Sequence, residues 1–233
     1  MAKGNSLHDE IKAQNAKMKD MTFAQKREHI WEYYKVHIIS VIIGIAAVIS
    51  IFVMFKANHY TTVFTTLVVD GYMDGFDNHS DSLTTEFTDY LGINGTSERV
   101  LFNNNFSLIQ RDGDQDAYYS QEKIIAMAAT SSIDGYLCEK QYVDFFSDDD
   151  ELFLKDLRSV LSDDELQSIA EKDAIVYYTT EDGEKIPYAV DLTNTKVKED
   201  TDLSMSDPCY GIVTTSPNVD NAVAFIRYAF ELD

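Results

Sequence analysis

Hydrophobic and polar positions divide this chain abruptly. Residues 38–55, IISVIIGIAAVISIFVMF, run without a charge, and only Ser40, Gly44 and Ser50 dilute them. At about 1.5 Å per residue such a helix covers about 27 Å, close to the ~30 Å hydrocarbon core that Val36 and His37 help to fill. A buried core helix seldom runs this long without a polar face. The pattern predicts one transmembrane helix over 36–56, an amphipathic helical tail over 1–35 and a folded domain over 57–233.

In the tail, Ser6 and Asp9 offer a helix cap before the thin apolar stripe of Leu7, Ile11 and Met18. Thr22 and Gln25 form a T-x-x-Q box, so a helix should start there and carry Phe23, Ile30, Trp31, Tyr33 and Tyr34 into the span. The last three fall where an interfacial aromatic belt is expected, with Lys35 placed to snorkel. Ser40 and Gly44, four apart, would allow two such helices to approach closely as a homodimer.

Beyond the span, strand and helix patterns alternate. The β-branched run 62–69 predicts a strand that ends in Asp70-Gly71-Tyr72, and 82–91 predicts a helix stopped by Gly92. A strand begins at 99–102, Ser120 is placed to cap a helix containing Ile124 and Ala128, and 133–138 is a third strand. From Gln141 the pattern turns helical, with Ser147 expected to cap a helix through Leu152, Leu154, Leu157 and Leu161. Ser162 and Glu165 form a capping box. Residues 174–180 and 185–192 flank Glu181-Asp182-Gly183-Glu184 and predict an antiparallel hairpin. A last strand at 210–214 precedes a helix capped by Ser216, with Pro217 at its first position. The alternation predicts an α/β fold with a mainly parallel sheet and one hairpin.

Charge orients this arrangement. The tail carries seven basic against five acidic residues, a net +2, while beyond Lys56 eleven basic residues face 35 acidic ones, a net −24. Basic flanks stay in the cytoplasm, so the expected protein is a single-pass signal anchor in the cell membrane, N-terminus inside and C-terminal domain outside. A cleaved signal peptide would need a shorter basic region and a small-residue cleavage site. So acidic a domain repels phosphate backbones, which excludes nucleic acid as a partner and leaves the lipid bilayer and a membrane or envelope protein. Cys138 and Cys209 are too few for a disulfide framework; they form either one bridge outside the cell or two small buried side chains.

Candidate chemistry is sparse. Only His59 and His79 lie beyond the span, and no nucleophile elbow, HExxH, CxxC or phosphate-cradling glycine loop occurs. No cofactor is implied. Asp112, Asp114 and Asp116 match the first ligands of an EF-hand loop, although Ala117 stands at the turn glycine and Glu122 falls one place short of the bidentate position. A second acidic loop holds Asp70, Asp74, Asp77 and Asp81. If the fold binds a ligand, α/β geometry puts it at the carboxyl ends of the strands, nominating Asp70, Tyr72, Glu139, Thr215 and Ser216.

Three stretches carry a family resemblance: QEKIIAMAATSSIDGYLCEKQYVDFF from Gln121, YAVDLTNTK at 188–196 and CYGIVTTSPNVDNAVAFIRYAFEL at 209–232. They resemble segments of the extracytoplasmic solute-binding proteins of ABC importers. The tail HDEIKAQNAKMKDMTFAQK resembles those of short, singly anchored domains in Gram-positive bacteria. The resemblance implies a periplasmic-binding-protein-like lobe. Such receptors close two lobes on a ligand, whereas 57–233 holds one. The expected function is therefore a membrane-anchored binding or interaction module without catalysis; the alternatives are a carboxylate-dependent envelope enzyme and a scaffold subunit of an envelope or transporter complex.

Overall fold

A computed structural model describes residues 12, 13, 16, 21–57, 60–71, 82–94, 97–109, 115–148, 151–201 and 203–232. The chain divides into two compact units, Met1–His59 and Tyr60–Asp233. In the first, helix α1 (Phe23–Ala57) is continuous. Gln25 Oε1 accepts from Thr22 N at 3.0 Å, as expected of a residue that reaches back to cap the helix. The stretch Tyr34–Lys56 is long and apolar enough to cross a bilayer, and none of it is buried against protein. That exposure separates it from a soluble core helix, and it anchors the chain in a membrane.

The second unit is an open six-stranded α/β sheet. Its elements are β1 (Thr61–Val69), α2 (Ser82–Tyr90), β2 (Glu98–Phe106), α3 (Asp116–Ala129), β3 (Gly135–Glu139), α4 (Asp163–Glu171), β4 (Ile175–Thr179), β5 (Lys185–Asp191), α5 (Lys196–Asp200), β6 (Pro208–Ile212) and α6 (Val219–Phe230). The strand order is β2-β1-β3-β6-β5-β4. β2, β1 and β3 run parallel, whereas β6 lies antiparallel to both β3 and β5, and β4 and β5 form the expected hairpin.

Burial explains which strands are central. β3 and β6 are buried almost throughout, and β1 from Phe64 onward, as strands covered on both faces must be. One face packs Phe64, Val68, Phe87, Phe102, Tyr210 and Phe225 under α2 and α6, with the Phe64 and Phe87 rings 5.0 Å apart and Tyr210 and Phe225 4.6 Å apart. The other packs Leu67, Val69, Ile124, Ala128, Tyr136, Cys138 and Cys209 beneath α3 and Val143, Phe146, Phe153 and Leu154. Gly135 is required where it stands, because a Cβ there would come within 2.4 Å of the Tyr210 ring and of Thr66 Oγ1.

Three expected caps resolve differently. α3 begins at Asp116, and Ser120 lies one turn inside it, where its Oγ accepts from Ser107 N at 3.1 Å. α6 begins at Val219 with Asn218 as its cap residue, and Ser216 stands two residues before it, donating to Asp134 at 2.7 Å and accepting from Asn218 N at 3.2 Å. Among the described residues from Ser147 to Leu161 the expected helix is absent. Ser147 Oγ accepts from Phe153 N, six residues on, Leu154 makes a bridge with Val213, and only a 3₁₀ turn at Leu157–Ser159 follows. Pairing with the end of β6 outweighs local helical pattern there, and three aspartates at 148–150 offer little helix propensity to resist it.

The capping box at Ser162 and Glu165 forms as expected, and Glu165 Oε1 also accepts from Arg227 Nε at 2.6 Å, tying α4 to α6. The Arg227 hydrogen bond, helped by Ser162, holds the Glu165 carboxyl at about 2 against an ordinary 4.5. A carboxyl depressed in this way stabilises the fold above pH 4.5 and loses that contribution as pH falls toward 2. The thermal midpoint of the wild-type chain should therefore exceed that of Glu165→Gln near neutrality, with the gap closing across that acid window. A gap independent of pH would show that the ionised pair is not its source.

Candidate functional site

The parallel half of the sheet has the order β2-β1-β3, and its two crossovers place α2 and α3 on opposite faces, which opens a switch point at the carboxyl ends of β1 and β3. Asp70 and Glu139 stand there, after the paired residues Val69 and Cys138. Asp70 takes a left-handed backbone, φ 55°, and its carboxylate accepts from Ser107 Oγ at 2.5 Å and Leu108 N at 2.8 Å. Glu139 accepts from Ser206 N at 2.7 Å and Asp207 N at 2.9 Å. Both carboxylates fasten loops. Tyr72 lies outside the described residues.

Thr215 and Ser216 are at the other end of the sheet, because β6 runs against β3. The nomination treated the last strand as parallel, and its reversal puts Thr215 and Ser216 at the opposite end from Asp70 and Glu139. Thr215 Oγ1 donates to Ala128 O at 2.7 Å, and Ser216 belongs to the network around Asp134. Of the calcium candidates, Asp112 and Asp114 lie outside the described residues, while Asp116 opens α3. Among the described residues no three His, Cys, Asp or Glu side chains group as metal ligands.

Cys138 and Cys209 face each other directly across β3 and β6, both buried and both free. Val213 N donates to Asp134 O and Lys140 N to Asp207 O, so every second pair along this ladder, Cys138 with Cys209 included, is a hydrogen-bonded one. Opposed Cβ atoms in such pairs lie about 5.5 Å apart, against the ~3.8 Å of a bridge. Burial pushes the Cys209 thiol up to about 12 and the Cys138 thiol well above its usual range.

The concavity with most to offer lies elsewhere. α3 supplies one wall of a groove of about 540 Å³ through Gln121, Ile125 and Ala128, the Phe145–Phe153 loop the other, and Val213, Thr214 and Thr215 its floor. Ile125 is 56 % exposed and Phe145 45 % exposed, so both walls present apolar surface to solvent. The hydroxyls of its lining are engaged internally: Thr214 Oγ1 donates to Leu152 O at 2.8 Å, Thr215 to α3, and Ser147 accepts from Phe153 N. Asp148 and Glu151, joined by a 2.8 Å bond from Glu151 N to Asp148 Oδ1, are the ionised groups of its lining. Sequence reasoning reached Thr215 and missed the rest, because a helix expected over 147–161 leaves no loop to form a wall. The signal present was Phe145-Phe146 followed by Ser147 and three aspartates, an aromatic pair ending in a turn-forming run.

Both thiols should resist Ellman's reagent in the native chain at mildly alkaline pH and react in full once guanidinium unfolds it. Rapid labelling of the folded protein would contradict their burial, and fewer than two thiols in the unfolded, unreduced chain would reveal a bridge.

No protein-family model, curated protein or solved structure matches this chain, so the groove is interpreted from its own geometry.

Proposed function

We propose that this chain is a single-pass membrane-anchored recognition module, with residues 1–35 in the cytoplasm and its α/β domain outside, that engages a protein partner through the groove between α3 and the Phe145–Phe153 loop, without catalysis. The observation that carries this reading is the groove's composition. Its walls expose Ile125 and Phe145 while its hydroxyls are committed to the fold, so what it offers a visitor is chiefly apolar contact. Pockets for small polar solutes instead aim several free donors and acceptors inward. The resemblance to one lobe of solute-binding proteins supports a binding role, and an exposed groove needs no second lobe to close over it. The basic tail and acidic domain favour the stated orientation.

Protease added to intact cells should digest the domain and spare the tail; protection of the domain would reverse the orientation. For recognition itself, p-benzoylphenylalanine placed at Ile125 or Phe145 should yield a discrete crosslinked species in native membranes. The same probe at Tyr177, exposed on β4 at the sheet edge, should yield none. Equal crosslinking from all three positions, or none from the groove, would defeat the assignment.

A further inference from the structure

Two nucleophilic side chains take no part in the groove. Cys138 and Cys209 are fully buried and directly opposed across β3 and β6, so both thiols lie on one face of the sheet. Opposed Cβ atoms about 5.5 Å apart are too distant for a disulfide and suit a metal ion between the sulfurs. Two metal–thiolate bonds of about 2.3 Å set in line hold their sulfurs about 4.6 Å apart, and Cβ–S bonds leaving nearly at right angles bring the Cβ atoms to about 5–6 Å. We infer that this pair is a binding site for one cuprous ion, Cu(I), held between two thiolates. Two Cu–S bonds form and two S–H bonds break; both protons pass to solvent, and no electron is transferred.

The surroundings choose the ion. Among the described residues no third His, Cys, Asp or Glu groups with these thiols, so a tetrahedral zinc ion would lack half of its ligands. Asp191, paired with Cys209 across β5, is committed to Lys140 Nζ and Thr193 N. Calcium and magnesium take oxygen ligands, whereas thiolates select Cu(I), an ion that two of them in line can satisfy. Burial holds both free thiols in their protonated form, and a bound cation supplies the charge that lets them ionise. An orphaned hydroxyl marks the same place. Tyr188 is fully buried, yet its Oη has no hydrogen-bond partner, which a packed interior rarely allows. Burial raises its phenol first, and Asp144, Cys138, Tyr178 and Cys209 add to the rise, which puts the hydroxyl within electrostatic reach of both sulfurs. A copper dithiolate carries one net negative charge, and Tyr188 is then the donor that offsets it. Entry needs little rearrangement. The Lys140–Asp191 bridge beside Cys209 spans 3.2 Å with Lys140 more than half exposed, a pair of the kind that opens at little cost. The acidic surplus beyond Lys56 draws cations toward it, whatever occupies the groove.

The test is anaerobic titration of the full, reduced chain in nanodiscs of zwitterionic phosphatidylcholine with Cu(I) alone, against the chromophoric cuprous chelator bicinchoninate. The chain should withhold one equivalent of copper from the chelator. X-ray absorption at the copper edge should show two sulfur neighbours and neither nitrogen nor oxygen. Cys138→Ala and Cys209→Ala should each abolish the retention. Tyr188→Phe should weaken it about tenfold while the thermal midpoint of the metal-free chain is kept, because the hydroxyl has no partner to lose. Release of all copper by the wild-type chain, or retention unchanged in either alanine variant, would overturn the site. The wild-type spectrum decides without any variant having to fold: three or more neighbours, or any nitrogen or oxygen among them, would overturn the two-thiolate assignment. Unchanged copper affinity in Tyr188→Phe would overturn the part given to its hydroxyl.

Discussion

One buried carboxylate holds the two halves of the sheet together. Asp134 is 1 % exposed, and it is bonded on every side. Its backbone N donates to Thr65 O and its carbonyl accepts from Val213 N, linking β1 and the end of β6 to the start of β3. Its Oδ2 accepts from Thr65 N at 2.8 Å, and Oδ1 from Ser216 Oγ at 2.7 Å and Asn218 N at 3.0 Å. A carboxylate so far from water is tolerated only when such donors replace its hydration, and each charge-assisted bond contributes about 1.5–3 kcal/mol. Breaking a set of this kind leaves an uncompensated buried charge, which costs about 3–5 kcal/mol. The donors come from β1 and from the turn before α6, so no one element of the fold can shift without disturbing the others.

From that point the geometry of the groove follows bond by bond. Val213 and Ser216, both fixed to Asp134, bracket Thr214 and Thr215. Thr214 then takes the carbonyls of Leu152 and Phe153, and Thr215 takes that of Ala128. One turn of chain at the end of β6 thus grips both walls, α3 on one side and the aromatic loop on the other. Lys155 N closes the loop's far end onto Ile212 O at 2.7 Å. The groove therefore has one helical wall, and hydrogen bonds from the end of β6 hold its loop wall at Leu152, Phe153 and Lys155. Preorganisation of this sort removes part of the ordering cost that binding otherwise carries.

Much of this was legible from residue pattern, and what was not has a common cause. The membrane anchor, the α/β class, the hairpin around Gly183 and the box at Ser162 and Glu165 all rest on local rules: an uninterrupted apolar run, alternating periods, a turn, a reciprocal cap. Each rule is satisfied within a few residues, so nothing distant overrides it. The direction of β6 is different. Whether a strand lies parallel or antiparallel to its neighbour depends on the path of the chain between them, here through 140–207, where the sequence pattern misplaces a helix. That single non-local fact moved Thr215 and Ser216 to the opposite end of the sheet from Asp70 and Glu139. Ser120 and Ser216 both have the chemistry of a cap and both take a tertiary partner, Ser120 accepting from Ser107 N and Ser216 donating to Asp134 while it still accepts from Asn218 N beside the helix start. The groove wall is where local pattern and tertiary pairing conflict most, a conflict that tends to fall at functional places.

The energetics of the groove also say why an anchored protein would carry it. Fully burying a side chain the size of isoleucine or phenylalanine is worth about 1.5–3 kcal/mol, so two that stand half exposed hold about that much together for a partner to collect. Association in free solution costs at least about 4 kcal/mol in lost translation and rotation alone, and two rim carboxylates mostly alter selectivity and rate. A groove of this quality is weak between diffusing molecules. Tethering both partners to one membrane changes the comparison, because a linked site meets its target at an effective concentration near the millimolar range. On the proposed recognition role, the apolar helix would supply by confinement what the groove's contact area does not.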